Sequence, residues 1–140
     1  DVTTQEFFAI ARQRLAPQGV LAINVGRAPD DRRLIDGLAT TIGTLFPSIH
    51  VMDVPGTFNS ILYATVQPTA AQDLFDNLVR FTQGGEVPPL LIESLYLTWT
   101  NLAPAPQNTV VFTDDLSPIE WLTNNLILHF LLESGSDMLE

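Results

Sequence analysis

The run Val20-Leu21-Ala22-Ile23-Asn24-Val25 constrains this chain more than any other feature. It is almost wholly apolar, with Pro17-Gln18-Gly19 before it and Gly26 after it. So short a run between breakers reads as a strand. Its lack of alternation predicts burial on both faces, as in a parallel sheet. Upstream, Thr3-Thr4-Gln5-Glu6 has the S/T-x-x-E form of a capping box, which satisfies orphan N–H groups at a helix start. Phe7, Phe8, Ala11 and Leu15 follow at helical spacing until Pro17-Gln18-Gly19 stops the helix.

Downstream, Ala28-Pro29-Asp30-Asp31 opens a second helix, its early acids suited to the positive helix N-terminus. Leu34, Leu38, Ile42 and Leu45 form the apolar stripe of that helix, which ends before Pro47. Two strand candidates, Ile49 to Val54 and Ser60 to Val66, are joined by Pro55-Gly56-Thr57-Phe58-Asn59, a connection short enough for an antiparallel hairpin. Thr69 can cap a third helix carrying Ala71, Leu74, Phe75, Leu78 and Phe81, broken by Gly84-Gly85. A fourth helix is expected from Leu90 to Trp99, after Pro88-Pro89.

Ala103-Pro104-Ala105-Pro106 reads as a stiff connector within one domain, because too little chain follows for a second core. Val110-Val111-Phe112 reads as a short strand or extended segment. Ser117-Pro118-Ile119-Glu120 resembles a second capping box, opening a last helix to about Leu132.

Charge excludes one class of function. The chain of 140 residues carries 16 acids against six cations, all arginine, for a net charge of −10. Residues 81–140 hold eight acids and no Lys or Arg. Such a chain repels phosphate backbones, so no nucleic-acid partner is expected. A cationic small molecule would be attracted, although an acidic, soluble surface is the simpler reading. No apolar run approaches the ~18 residues of a membrane span. The N-terminus lacks the basic and apolar regions of a signal peptide, so a cytoplasmic location is expected. There is no cysteine and hence no disulfide or thiolate metal site.

The order helix, buried strand, helix, strand, strand is that of the second half of an open α/β sheet. Such sheets hold a nucleotide cofactor at a glycine-rich first βα turn. This sequence has no G-x-G-x-x-G and no Walker motif.

Thr3 through Gly26 resembles a stretch of the spermidine synthase-like family, the polyamine aminopropyltransferases, especially Arg14-Leu15-Ala16-Pro17-Gln18-Gly19-Val20-Leu21. Phe58-Asn59-Ser60-Ile61-Leu62-Tyr63-Ala64-Thr65 and Phe112-Thr113-Asp114-Asp115-Leu116-Ser117-Pro118-Ile119-Glu120 add to the likeness. It runs from residue 3 to about residue 126 and matches the C-terminal part of that family's catalytic domain.

The resemblance implies the C-terminal half of a Rossmann-like S-adenosylmethionine methyltransferase fold, with a small mixed sheet, a terminal antiparallel hairpin and flanking helices. It implies a parent that transfers an aminopropyl group from decarboxylated S-adenosylmethionine to a diamine. A related methyltransferase using S-adenosylmethionine, or a non-catalytic oligomerisation module, is the alternative. The family's cofactor loop, ribose-binding acid and catalytic aspartate precede the helix that begins here at Thr4, and members have a tyrosine in the loop that reads Pro55–Asn59 here. No catalytic or cofactor-binding residue is therefore assigned, and the chain alone is expected to be inactive. Some members carry membrane segments elsewhere.

Aminopropyl transfer needs groups that hold and deprotonate an amine. The substrate-binding candidates are Asn24, at the C-terminal end of the apolar strand, Asn59, Asp114 and Asp115. Asp114 capping a turn, and Asp115 complementing a following helix, is the structural alternative. Glu120 suits a cap better than catalysis. His50 and His129 lack neighbours at metal spacing, so no metal is expected. Phe58 would floor a pocket or stand exposed in its turn. An apolar edge left unpaired at Val20–Val25 predicts a homo-oligomer, unless Val110–Phe112 or the N-terminal segment covers it.

Overall fold

The apolar run does form a strand, but a half-buried one at the edge of a sheet. The computed structural model describes residues 3–27 and 31–118. Their elements are α1 (Gln5–Arg14), β1 (Val20–Gly26), α2 (Arg33–Gly43), β2 (Ser48–Asp53), β3 (Asn59–Thr65), α3 (Ala71–Gln83) and α4 (Pro89–Thr100). The result is a small α/β domain with a three-stranded sheet in the order β1-β3-β2. Both pairings are antiparallel: Val20 lies opposite Thr65 and Gly26 opposite Asn59, while Ser48 lies opposite Thr65 and Asp53 opposite Ser60.

This corrects the expectation of a parallel strand covered on both faces. Along β1, Leu21, Ile23 and Val25 turn inward, whereas Val20, Ala22 and Asn24 remain exposed. The alternation is imposed by what covers each face, not by the residues themselves, which are apolar on both.

The main core cluster lies on one face. Val25, Val51, Leu62 and Ala64 of the sheet pack against Phe8 of α1 and Ile35, Leu38, Ala39 and Ile42 of α2. The stripe of α2 is thus centred a little off the expected one, with Leu34 and Leu45 only partly buried. The opposite face carries α3 and α4, joined by a Phe75–Trp99 ring contact of 5.1 Å. Leu78 is the buried residue of α3, and α4 buries none. The hairpin falls within a residue of its expected bounds, and Gly56 takes a positive φ of 69° in its turn.

Several helix starts differ from expectation. The N-cap of α1 is Thr4, and no side-chain cap bond forms. Its hydroxyl donates instead to Asp114 Oδ1 (2.7 Å), and the Gln5 N–H donates to Phe112 O (2.8 Å). Thr4 thus docks the helix start onto the strap rather than capping it. Helix α2 begins at Arg33, after the opening at 28–30, which lies outside the described residues. The Arg33 N–H donates to Asp31 Oδ1 (3.0 Å), so Asp31 does serve the helix start. Helix α3 is capped at Ala70, whose N–H donates to Asp73 Oδ2 (2.7 Å), rather than at Thr69.

Residues 101–116 form a strap. It first pairs with the outer edge of β2, through Asp53 N to Asn101 O (3.0 Å) and Ala103 N to Val51 O (2.8 Å). It then crosses α2, where Thr109 N and Phe112 N donate to the hydroxyls of Thr40 (3.0 Å) and Thr41 (2.8 Å). Phe112 is fully buried against Gly37. Val110–Phe112 is extended, as expected, but covers α2 and not the edge of β1. The second capping box, from Ile119 on, and the helix expected to Leu132 with His129, lie outside the described residues.

Candidate functional site

Open α/β sheets present ligand contacts at the carboxyl ends of their strands. Here β1 ends at Gly26, β2 ends at Asp53, and β3 begins at Asn59, so all three meet at one end of the sheet. Asn24 lies opposite Ile61 and Asn59 opposite Gly26, which places both asparagines on the same sheet face. Gly26 shares that face, and a Cβ added there would meet Asn59 Oδ1 at 4.0 Å, ordinary contact.

On the other face of the same end sits a charged cluster that sequence reasoning missed. Asp53 Oδ2 accepts from Arg32 Nη1 at 2.9 Å, and Asp53 Oδ1 lies 3.6 Å from Arg27 Nε. Ser60, fully buried and opposite Asp53 in register, links them: Arg27 Nε donates to Ser60 Oγ (3.1 Å), and Ser60 Oγ donates to Asp53 Oδ1 (2.5 Å). Burial pushes the Asp53 carboxyl up, but the Ser60 and Arg32 hydrogen bonds and the two guanidinium charges outweigh it and hold it below the usual carboxylate range. Arg32 precedes α2 and Arg27 follows β1, so the cluster fastens the α2 entry to the sheet. Its one sequence signal is charge placed directly at strand ends.

Beside it, Asp31 chelates the Arg33 guanidinium through Nε at 2.9 and 3.0 Å and Nη2 at 2.5 Å. That side-chain pairing, with the Arg33 N–H, lowers the Asp31 carboxyl to about 2.

Asp114 and Asp115 are the middle residues of a turn closed by Thr113 N to Leu116 O (3.2 Å) and Leu116 N to Thr113 O (3.0 Å). The Thr4 hydroxyl lowers the Asp114 carboxyl, and Asp114 N–H donates to Glu6 Oε2 (3.1 Å). The turn therefore belongs to the docking of α1. The structure brings Asn24 near Asn59 and keeps Asp114 beside Asp115. It does not bring the two pairs together, since the asparagines share the α3–α4 face and the aspartates lie against α1. Phe58 stands exposed at the hairpin tip. No described His, Asp and Glu residues group in threes to hold a metal ion, and no described helix is long and apolar enough to cross a membrane.

No protein-family model and no solved structure matches the chain. It is similar to a protein of Bifidobacterium longum (strain NCC 2705) named "Probable polyamine aminopropyl transferase", with 26% identity over 135 residues. The matched region covers 86% of this chain and 30% of that protein, so the likeness is distant and concerns a part of the relative's length.

Proposed function

We propose that this chain is the C-terminal part of the catalytic domain of a polyamine aminopropyltransferase-like protein. The observation that carries the reading is the strand order: β3 lies between β1 and β2 and runs antiparallel to both. In a methyltransferase-like sheet the last strand inserts in this way, beside the strand represented here by β1. The distant similarity to a protein named for aminopropyl transfer supports the same assignment.

In that reaction an amine attacks the propyl carbon bonded to the sulfonium of decarboxylated S-adenosylmethionine. The C–N bond forms, the C–S bond breaks, sulfur leaves as the neutral thioether of methylthioadenosine, and the amine proton passes to a base. Asn24 and Asn59 stand where amide oxygens can accept from an amine at the strand ends. Asp115 and Asp114 add negative charge that attracts the cation from the α1 side. The chain has no glycine-rich motif, so the S-adenosyl group would be held by residues outside these 140. The full-length protein should release methylthioadenosine from decarboxylated S-adenosylmethionine only when a diamine is present. Formation of S-adenosylhomocysteine from S-adenosylmethionine would instead identify a methyltransferase, and absence of both products would remove the enzymatic reading.

A second reading rests on β1. The outer edge of β2 is paired by the strap, but nothing among the described residues pairs the outer edge of β1. Val20, at 52% exposure, and Ala22 flank that edge without a charge or proline to block it. An edge of this kind pairs with another chain, and in isolation these 140 residues would form a homodimer across it.

A further inference from the structure

Between the outer sheet face and the α3–α4 pair lies a cavity of about 360 Å³. It is separate from the strand-end cluster, and none of its residues enters the aminopropyltransferase reading. Val20, Tyr63, Leu74, Leu95 and Leu102 supply apolar wall. His50, Thr65, Thr69, Asp73, Ser94 and Thr98 also line it, although the wall is mostly apolar.

The hydrogens of these polar groups can be traced. Thr65 Oγ1 donates to Gln67 O (2.7 Å), because a carbonyl only accepts. Thr65 must then accept from Thr69 across their 3.0 Å contact. That uses the Thr69 hydroxyl hydrogen, so Thr69 accepts from His50 Nε2 at 2.9 Å. Neutral His50 therefore carries its proton on Nε2 and has an accepting lone pair on Nδ1. On α4, Ser94 Oγ donates to Leu90 O (2.7 Å) and Thr98 Oγ1 donates to Ser94 O (2.9 Å), so each hydroxyl has only accepting capacity left. Asp73 offers a second carboxylate oxygen, its Oδ2 being taken by the Ala70 N–H. Against these acceptors stand the Tyr63 hydroxyl and the Asn77 amide, and no Lys or Arg lines the cavity.

We propose that this cavity is a binding site for a monoamine: a small primary ammonium ion carrying an aryl or alkyl body. An ammonium presents three donors and no acceptor, which suits the exposed Asp73 carboxylate beside a wall that is otherwise mostly apolar. Its body replaces water against the apolar wall. A polyamine fits worse, because its further charges would face that wall with no second carboxylate.

The test is an NMR titration of the 140-residue chain with phenethylammonium, 2-phenylethanol, 3-phenylpropionate and spermidine. Saturable shifts at Tyr63, Thr69, Leu74 and Leu95 are expected with phenethylammonium. The alcohol should bind about tenfold more weakly, and the carboxylate not at all. Asp73→Asn keeps an acceptor for the Ala70 N–H while removing the charge, and should weaken the ammonium about tenfold without changing the alcohol. Thr98→Phe should fill the cavity and abolish binding of both. Equal affinity for ammonium and alcohol, tighter binding of spermidine, an unaffected Asp73→Asn variant, or shifts that never saturate would each overturn the proposal. Asp73→Asn decides the matter if Thr98→Phe does not fold.

Discussion

Replacing Gly37 by alanine should destabilise the protein, although alanine is the better helix former. In an exposed helix interior the change would stabilise by about 1 kcal/mol. Here the new Cβ would lie 2.6 Å from Cε2 of Phe112 and closer still to Cζ, where carbon atoms ordinarily stand about 3.5–4.0 Å apart. Neither side yields easily. Gly37 is inside α2, and Phe112 is fully buried, its backbone held at 2.8 Å by both Gln5 N and Thr41 Oγ1. Overpacking of this kind costs roughly 1–3 kcal/mol, which exceeds the helix gain over most of that range.

Phe112→Ala should cost more, about 3–5 kcal/mol, because it empties a fully buried ring site. The decisive measurement is the double variant. With the ring gone, Gly37→Ala meets no obstacle and should stabilise by about 1 kcal/mol, so the coupling between the two positions equals the clash itself, roughly 1–3 kcal/mol. Urea unfolding followed by circular dichroism reads these as shifts in midpoint at constant slope. A stabilising Gly37→Ala in the wild-type background would refute the packing of the strap on α2.

Acid should destabilise the fold through carboxylates whose values are depressed when folded. Asp31, lowered to about 2, and Asp53 and Asp114, lowered from 3.8, contribute stability present above pH 3.8 and lost as pH falls through their folded values, so unfolding midpoints should decline in that window. Asp53→Asn should flatten part of that decline and destabilise at neutral pH by roughly 1–2 kcal/mol, by removing the counter-charge that Arg27 and Arg32 share; an unchanged midpoint would show that the cluster contributes nothing. For association, light scattering should find a dimer that Ala22→Lys converts to a folded monomer; a 15.4 kDa species for the unaltered chain removes the edge-pairing reading. Calorimetric titration of this chain with methylthioadenosine should give no heat of binding, and micromolar affinity would mean that it holds an S-adenosyl site of its own.

What could be read from the sequence was what local chemistry decides. The β2–β3 hairpin follows from Pro55-Gly56 between two strand-forming runs, and the end of α3 from Gly84-Gly85. The position of β1 was legible, but its burial was not. Whether Val20 and Ala22 are covered depends on neighbours that an apolar run cannot specify. For the same reason Ile23, half-buried on the core side, is a poor place to test association, and Ala22 is the better one. In the strap the stiff Ala103–Pro106 and the extended Val110–Phe112 are legible, but not where they dock, because that is set by bonds to Thr40, Thr41 and Gln5 across long stretches of chain. Gly37 inside an otherwise good helix was the one trace of that docking. At the candidate site, Asn24 and Asn59 could be named from strand ends, whereas the Arg27–Ser60–Asp53–Arg32 cluster joins residues from separate places in the chain, and charge at strand ends alone does not show that they meet.

The bond from Thr4 to Asp114 spans 110 positions, and it sets an order for folding. The first turn of α1 is completed by residues near the end of the described chain. Closing so long a loop carries an entropic cost that grows as the logarithm of its length, so the contact forms only once the sheet and α2 have already drawn its ends together. The same seam is the first to part. Amides of Gln5, Phe112 and Asp114 should exchange as one group, at lower free energy than those of β3, which both other strands protect. On this reasoning the beginning and the end of the described chain should fold, and unfold, together.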